Sequence, residues 1–207
     1  MVDIRVNTLE MTNILHIKNV LDTSTCREIV KQVLKFKETH AATPDSNKHC
    51  WRGDPHLYGG LSNDINEQIQ DVISQARAVY DQTLIKSSQL AVAPSISEKY
   101  DLENPKIGAW FNVNDQGGSN MIHIHSGSFL SGCLYFQSTG TGAIEFYTQS
   151  YLYKTIHPCW PYFGSSIYHP EDGDIMLFPS NLAHYVEPNP ITRQRINMAF
   201  NIDYNKR

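Results

Sequence analysis

The sequence predicts an α+β chain that is mainly β, with helices packed against the outside of a β-sandwich or jelly roll. Three observations carry that prediction. Apolar residues recur at helical spacing in the N-terminal part, the period falls to two from Ile107 onward, and clusters of Gly, Pro, Asn and Ser then cut the chain into short segments. With 207 residues, a single domain over 1–207 is expected, large enough for a substantial core. Within it, residues 1–106 form a helical support and loop region and residues 107–204 the strand-rich core.

Each element has its own signal. Ile14 to Ile17 reads as a short strand. Thr25-Cys26-Arg27-Glu28 has the form of a capping box, and Ile29, Val30, Val33 and Leu34 give the helix after it an apolar face. A second helix spans about Asn63 to Leu84, with Ile65, Ile69, Val72, Ile73, Ala76, Val79 and Tyr80 along one side. Between the helices, residues 40–61 carry Pro44, Gly53, Pro55, Gly59 and Gly60 around Trp51 and His56, a loop-rich stretch of the kind that covers sites. The candidate strands are 107–113, 119–125, 130–137, 143–147, 174–178, 184–187 and 195–202. A Tyr- and Pro-rich connection, 148–172, lies before the fifth of them and holds His157 and His169.

Composition narrows the function classes. Hydrophobic residues make up 41 % and charged residues 18 %, the balance of an ordinary globular protein. A net charge of −4 gives no support for a nucleic-acid-binding surface, and the acidic residues form no block. There is no apolar run near the ~18 residues of a membrane span and no secretory apolar stretch at the start, so no membrane partner and a cytoplasmic location are expected. The four cysteines, Cys26, Cys50, Cys133 and Cys159, are widely spaced without a Cys-x-x-Cys, which suits free thiols in a reducing compartment. Cys133, inside a strand pattern, reads as a small core residue.

The chemistry lies in the histidines. In Asn120-Met121-Ile122-His123-Ile124-His125, alternation towards a strand end puts His123 and His125 on one face. His184 follows the apolar strand and turn Gly173-Asp174-Ile175-Met176-Leu177-Phe178-Pro179-Ser180-Asn181 and opens the next strand. Two imidazoles from one strand and a third from a distant one make a facial, half-open metal site, suited to an iron that must still bind other ligands. One histidine beside a strand is ordinarily just a hydrogen-bonded residue, and His16, His40, His49 and His56 have no ligand-like spacing. Three histidines without cysteine do not match a structural zinc site, although a catalytic three-histidine zinc has the same donors.

Five segments, one of them holding the histidine pair, form one pattern: Trp110-Phe111-Asn112-Val113, His123-Ile124-His125-Ser126-Gly127-Ser128, Leu130-Ser131-Gly132-Cys133-Leu134-Tyr135, Gly173 to Ser180, and Arg195-Ile196-Asn197-Met198-Ala199-Phe200-Asn201. In that order, over about half the chain, they resemble the iron(II)- and 2-oxoglutarate-dependent dioxygenases of prolyl-hydroxylase type, closest to a bacterial and phage subgroup with His-x-His. The resemblance implies a double-stranded β-helix (jelly roll) with the N-terminal helices on one sheet, 107–204 being its catalytic core. It implies Fe(II) bound by His123, His125 and His184, with 2-oxoglutarate as cosubstrate and O2 as oxidant. His125 stands where the family usually has a carboxylate, so three neutral imidazoles would leave the centre one unit more positive.

By the same resemblance, Arg195 takes the distal carboxylate of 2-oxoglutarate, with Arg193 its near competitor. Tyr135 donates a hydrogen bond to that carboxylate, and Asn112 faces the same pocket. Trp51 is a candidate substrate contact on a lid loop, the alternative being a plug at the barrel end. The implied activity is hydroxylation of an unidentified small-molecule or peptidyl substrate, in the host cytoplasm for a phage-encoded chain, with oligomeric state open. The competing reading is a cupin-type three-histidine dioxygenase or metal-binding module without 2-oxoglutarate. Gly117, His123, His125, Gly173, Pro179 and His184 fit much of the two cupin signatures, but Phe129 and Leu130 stand where the first requires glutamate.

Overall fold

The computed structural model of the protein describes residues 3–9, 12–43, 47–53, 60–87, 100–147 and 165–207. Along the chain come β1 (Asp3–Leu9), β2 (Thr12–Lys18), α1 (Thr23–Thr39), β3 (Asn47–Arg52), α2 (Asn63–Ser87), β4 (Tyr100–His123), β5 (Leu130–Gln137), β6 (Ile144–Tyr147), β7 (Ser165–Tyr168), β8 (Ile175–Pro179), β9 (Ala183–Val186) and β10 (Arg195–Lys206). The strands join in the order β1-β2-β8-β5-β10-β4-β9-β6-β7, with β3 attached to β4 beside that path. Every pairing is antiparallel, and the sheet curls into a jelly roll with two helices against it.

Strand alternation divides this sheet into two chemically different faces. Outward point Leu15 and Ile17 of β2, Phe111 and Val113 of β4, Leu134 and Phe136 of β5, Ile175 and Leu177 of β8, and Met198, Phe200 and Ile202 of β10. Ile29, Val33 and Phe36 of α1 and Ile65, Ile69, Ile73, Ala76 and Tyr80 of α2 pack on that face and complete the main core. Each buried isoleucine of this layer contributes about 1.5–3 kcal/mol relative to leaving it in water. The inner face carries a smaller apolar cluster that includes Ile14, Cys133, Tyr135, Phe146, Met176 and Phe178. The rest of that face is mostly polar, with Trp110 and Ala199 among the polar side chains.

Several boundaries differ from those the sequence predicts. The segments 107–113 and 119–125 are one strand, β4, which pairs with β10 through Asn114 and with β9 at Asn120 and His123. The Gly117-Gly118 step between them bends the strand, and Gly117 at φ +77 donates its N–H to the Asn189 carbonyl. Strand β4 also ends at His123, so His125 lies just beyond it, its N–H on the Ser180 carbonyl. The N-cap of helix α1 lies three residues before the expected Thr25. Asp22 is the N-cap and accepts from the Thr25 N–H at 2.8 Å, while Glu28 accepts from Gln32 instead of closing a box. Within 40–61, residues Asn47–Arg52 form a strand, and β7 lies inside the connection 148–172. Pro44, Pro55, His56, Gly59, His157 and Cys159 lie outside the described residues.

Two glycines hold the frame closed. Gly173, at φ +88, lies in the turn two residues before β8 with its N–H on the Tyr135 carbonyl, and the following Asp174 carboxylate accepts from His16 Nε2 at 2.8 Å and from the Glu171 N–H at 3.0 Å. Gly132 of β5 sits directly opposite Phe200 of β10, and a Cβ there would collide with the Phe200 ring and come within 2.6 Å of the Met176 carbonyl oxygen. Gly132→Ala is therefore expected to destabilise the fold by about 1–3 kcal/mol, since the overpacking outweighs the entropy that alanine removes from the unfolded chain. Urea denaturation monitored by circular dichroism measures this as a lower midpoint at unchanged slope.

Candidate metal and cosubstrate site

The inner face encloses a cavity of about 480 Å³. Strand β10 supplies its floor by simple alternation, since Arg195, Asn197, Ala199, Asn201 and Asp203 all line it while the intervening residues face the helices. Neighbouring strands add Trp110 and Asn112 from β4, Cys133 and Tyr135 from β5, and Phe178 from β8. The histidines enter where β4 ends against β9, because His123 and His184 are direct cross-strand partners.

The three imidazoles His123, His125 and His184 converge. Their candidate ligand atoms all lie within 4.8 Å of one another, the one such cluster of metal-binding side chains among the described residues. His184 is 3 % exposed and the other two are half-buried. Each ring is held from behind through Nδ1. His123 Nδ1 donates to the Met121 carbonyl at 2.6 Å, His184 Nδ1 to the Leu182 carbonyl at 3.0 Å, and His125 Nδ1 to the Asn201 side-chain oxygen at 2.7 Å. Asn201 is itself oriented by Ser131, whose hydroxyl donates to the same oxygen at 2.8 Å. A carbonyl oxygen only accepts, so the proton belongs on Nδ1 and the Nε2 lone pair faces inward.

Burial is the main force on their protonation. It pushes His184 down to about 3 and His125 down to about 4, and lowers His123 as well, so all three are neutral near pH 7. His123 Nε2 and His125 Nε2 stand 3.2 Å apart with no proton to share. Two lone pairs at that distance repel each other unless a cation lies between them. Nitrogens bound to one metal at about 2.1 Å and at right angles lie about 3 Å apart. The donor set therefore fits a facially bound metal.

The opposite end of the floor fits an anion. Arg195 is 2 % exposed, with its Nε on Thr141 Oγ1 and one terminal nitrogen on the Gly142 carbonyl. Its other terminal nitrogen, Nη1, is buried without a hydrogen-bond partner among the described residues. A buried guanidinium with an unused donor leaves a large desolvation cost unmet until a carboxylate arrives. Arg193 is placed differently. It is exposed, bonded to the Thr139 carbonyl and 3.7 Å from Asp172, so it belongs to the surface turn and not to the cavity.

Tyr135 and Asn112 flank Asn197, the residue after next from Arg195, on the two strands beside β10. Tyr135 is 3 % exposed, and burial raises its phenol well above the usual value, which keeps it a donor. Asn112 donates to Asn197 Oδ1 at 3.1 Å and its own Oδ1 has no partner.

Trp51 falls elsewhere. Its ring packs in the main core against Phe36 and Gly53, with the indole N–H on the His40 carbonyl, so it does not touch the cavity. Strand alternation turns its neighbour, Arg52, inward instead, with the guanidinium carbon 4.5 Å over the Trp110 ring. Arg52, Trp110 and Asn201 are among the cavity residues that motif spacing alone did not single out. The alternation of β3 would have distinguished Arg52 from Trp51 had that strand been visible in the sequence.

Comparison with known proteins agrees with this geometry. Residues 108–201 match the family model described as "Putative 2OG-Fe(II) oxygenase". No curated protein sequence matches the chain. Among solved structures, a prolyl-4-hydroxylase from Pseudomonas putida is similar over 93 % of this chain and 92 % of its own, with a TM-score of 0.61 at 12 % identity. A prolyl hydroxylase from Trichoplax adhaerens, solved with a hypoxia-inducible-factor peptide fragment, is similar over 92 % of this chain and 83 % of its own (TM-score 0.62, 12 % identity). HygX from Streptomyces hygroscopicus, solved with nickel, 2-oxoglutarate and hygromycin B, is similar over 93 % and 83 % respectively (TM-score 0.54, 12 % identity). At such identities these three establish the shared jelly roll. Over residues 108–201, which hold most of the strands that build the cavity, the chain is similar to the 2-oxoglutarate- and iron(II)-dependent oxygenases, enzymes that use Fe(II), 2-oxoglutarate and O2.

Proposed function

We propose that His123, His125 and His184 are the three iron ligands of this oxygenase, and that Arg195 and Tyr135 hold the distal carboxylate of 2-oxoglutarate. The observation that carries this reading is the pairing, in one cavity, of three converging neutral Nε2 atoms with a buried arginine that has a donor unused. When bound, iron(II) with 2-oxoglutarate and oxygen supplies the oxidising power to hydroxylate an unactivated C–H bond, with succinate and carbon dioxide as coproducts. The chain's own residues do the rest. The Met121 and Leu182 carbonyls and Asn201 fix the tautomer and tilt of the imidazoles, so the ligands are preorganised before metal arrives. Arg195 and Tyr135 donate to the cosubstrate's far end, with Asn112 on the same wall. Phe178, Ile144 and Val186 keep water from the site. The substrate is a small molecule or a peptide.

With His125 in place of a carboxylate, the ligand set adds no negative charge to the centre. The cupin-type reading shares all three histidines but assigns nothing to Arg195, and succinate formation separates the two. Wild-type protein is expected to convert 2-oxoglutarate to succinate slowly without added substrate. Its complete absence in iron-loaded protein would remove 2-oxoglutarate from the reading.

Five variants probe the assignment directly. His184→Ala and His125→Ala are expected to bind cobalt(II) at least tenfold more weakly in anaerobic titrations, and Asn201→Ala about 10–100-fold more weakly through loss of the His125 support. Unaltered affinity in His125→Ala would mean that this histidine is not a ligand. Arg195→Met is expected to raise the KM for 2-oxoglutarate by tenfold or more, since truncating one partner of a charged hydrogen-bonded pair costs about 2–5 kcal/mol. Arg193→Ala should leave that KM unchanged.

A further inference from the structure

The cavity has a second charged end that neither the metal nor the cosubstrate uses. Asp203 is the last residue of β10 to line it, two places beyond Asn201, whose side chain holds His125. Two residues of a strand span ~7 Å, so Asp203 lies one step past the metal ligands on the side away from Arg195. It is the one carboxylate among the described residues that line the cavity. Ser128 donates to its Oδ2 at 3.2 Å, and among the described residues no other hydrogen bond or ion pair reaches the side chain. Lys106 is its cross-strand partner on β4 but forms no ion pair with it. Both arginines of the cavity belong to the far side of Trp110, Arg195 opposite Asn114 and Arg52 opposite Asn112. Space separates the carboxylate from the metal ligands. Gly108, opposite Asn201 on β4, is exposed and lines the cavity, and a Cβ built on it would meet no atom within 4 Å. The apolar lining at this end is Trp110, its ring centroid 5.5 Å from that of His125, and Ile124, 47 % exposed between His123 and His125 in the chain.

We propose that Asp203 anchors the substrate, and that the substrate carries a primary ammonium group on a short aliphatic chain lying over Gly108. The inference rests on the site reading above, because the anchor has meaning only relative to the metal. A half-buried carboxylate with a single neutral donor has lost part of its hydration and gained no counter-charge. A ligand cation meets that need with a charge-assisted hydrogen bond. Ser128 already occupies Oδ2, so Oδ1 is the oxygen that faces a ligand. A compact ammonium suits one oxygen, whereas the planar fork of a guanidinium is matched to both. The space over Gly108 admits an unbranched methylene chain, and Trp110 and Ile124 give that chain apolar walls. Two sources share this chemistry, a free alkylamine and a lysine side chain within a peptide.

The test uses the full chain loaded with nickel(II) and saturated with 2-oxoglutarate without oxygen, so that the Arg195 end is already filled. Calorimetry first records 2-oxoglutarate binding and then titrates two matched pairs of probes. One pair is pentylamine and pentanol; the other is a blocked tetrapeptide containing lysine and the same peptide containing norleucine. The ammonium member of at least one pair is expected to bind about tenfold tighter than its neutral partner, a difference of ~1.4 kcal/mol. The pair that shows the preference identifies the source. In Asp203→Asn the preference falls to near parity, and in Asp203→Glu it persists in weakened form. Gly108→Leu, which the open space accommodates, is expected to abolish binding of the ammonium probe by filling the slot. Circular-dichroism melts confirm that the three variants are folded. Parity within both pairs in the wild type, failure of both ammonium probes to bind, a preference that survives in Asp203→Asn, or unchanged binding in Gly108→Leu overturns the inference. So does an arginine peptide that binds as tightly as the lysine one. Failure of 2-oxoglutarate to load overturns the site reading and this inference together; loading followed by parity overturns this inference alone.

Discussion

The pairing of β10 with β4 is the constraint on which the rest depends. Over Arg195 to Tyr204 it runs without slippage against Asn114 to Pro105, and the residues of β10 alternate between two environments. Ile196, Met198, Phe200 and Ile202 are essentially buried against the helix layer, whereas Arg195, Asn197, Ala199 and Asn201 line the cavity. A one-residue slip would send the guanidinium into the apolar core and a phenylalanine into the site. The apolar face therefore sets the register of the polar one. The helices contribute no side chain to the cavity, yet their burial is what prevents β10 from sliding.

The metal end shows a second dependence, of ligand on support. His125 follows the end of β4 and is not held by a ladder, so its position comes from the Ser180 carbonyl on its backbone and from Asn201 on its ring. Asn201 belongs to β10, as does Arg195, and Ser131 and Ser180, bonded to each other at 2.8 Å, lie behind it. The strand that presents the buried guanidinium of Arg195 thus also orients one imidazole. His123 and His184 need less. They are cross-strand partners, and each Nδ1 finds a backbone carbonyl two residues earlier in its own chain.

What could be read in the sequence followed strong periodicity. Residues 130–137, 174–178 and 195–202 are nearly continuous apolar or alternating runs, and β5, β8 and β10 lie on them. Residues 3–9, DIRVNTL, alternate polar and apolar only over Asp3 to Asn7, a run too short to stand out, and their strand β1 is fixed by seven pairs with β2. Residues 47–52 hide a strand for a different reason: His49 at φ 47 interrupts the register beside β4, and the surrounding proline and glycine suggest only loop. That hidden strand decides which of Trp51 and Arg52 faces the site. The choice between Arg193 and Arg195 was likewise tertiary, because both follow the same turn and only Arg195 enters the ladder with β4.

The cavity also has a thermodynamic character that follows from its unmet groups. Arg195 Nη1 and Asn112 Oδ1 are buried without partners, and three imidazole lone pairs face one another. Each is costly in the folded chain, since an unsatisfied buried polar group loses about 1–3 kcal/mol of hydration. None of this cost is present in the unfolded chain, where water serves all of them. A cation among the imidazoles and an anion at Arg195 relieve it only in the folded state. Ligands that bind the native form alone stabilise it by mass action, so occupancy and stability are linked through the same atoms. The helix layer over β10, with Ile69, Ile73 and Phe200 fully buried, supplies the apolar burial that lets this strand present a polar face on its other side.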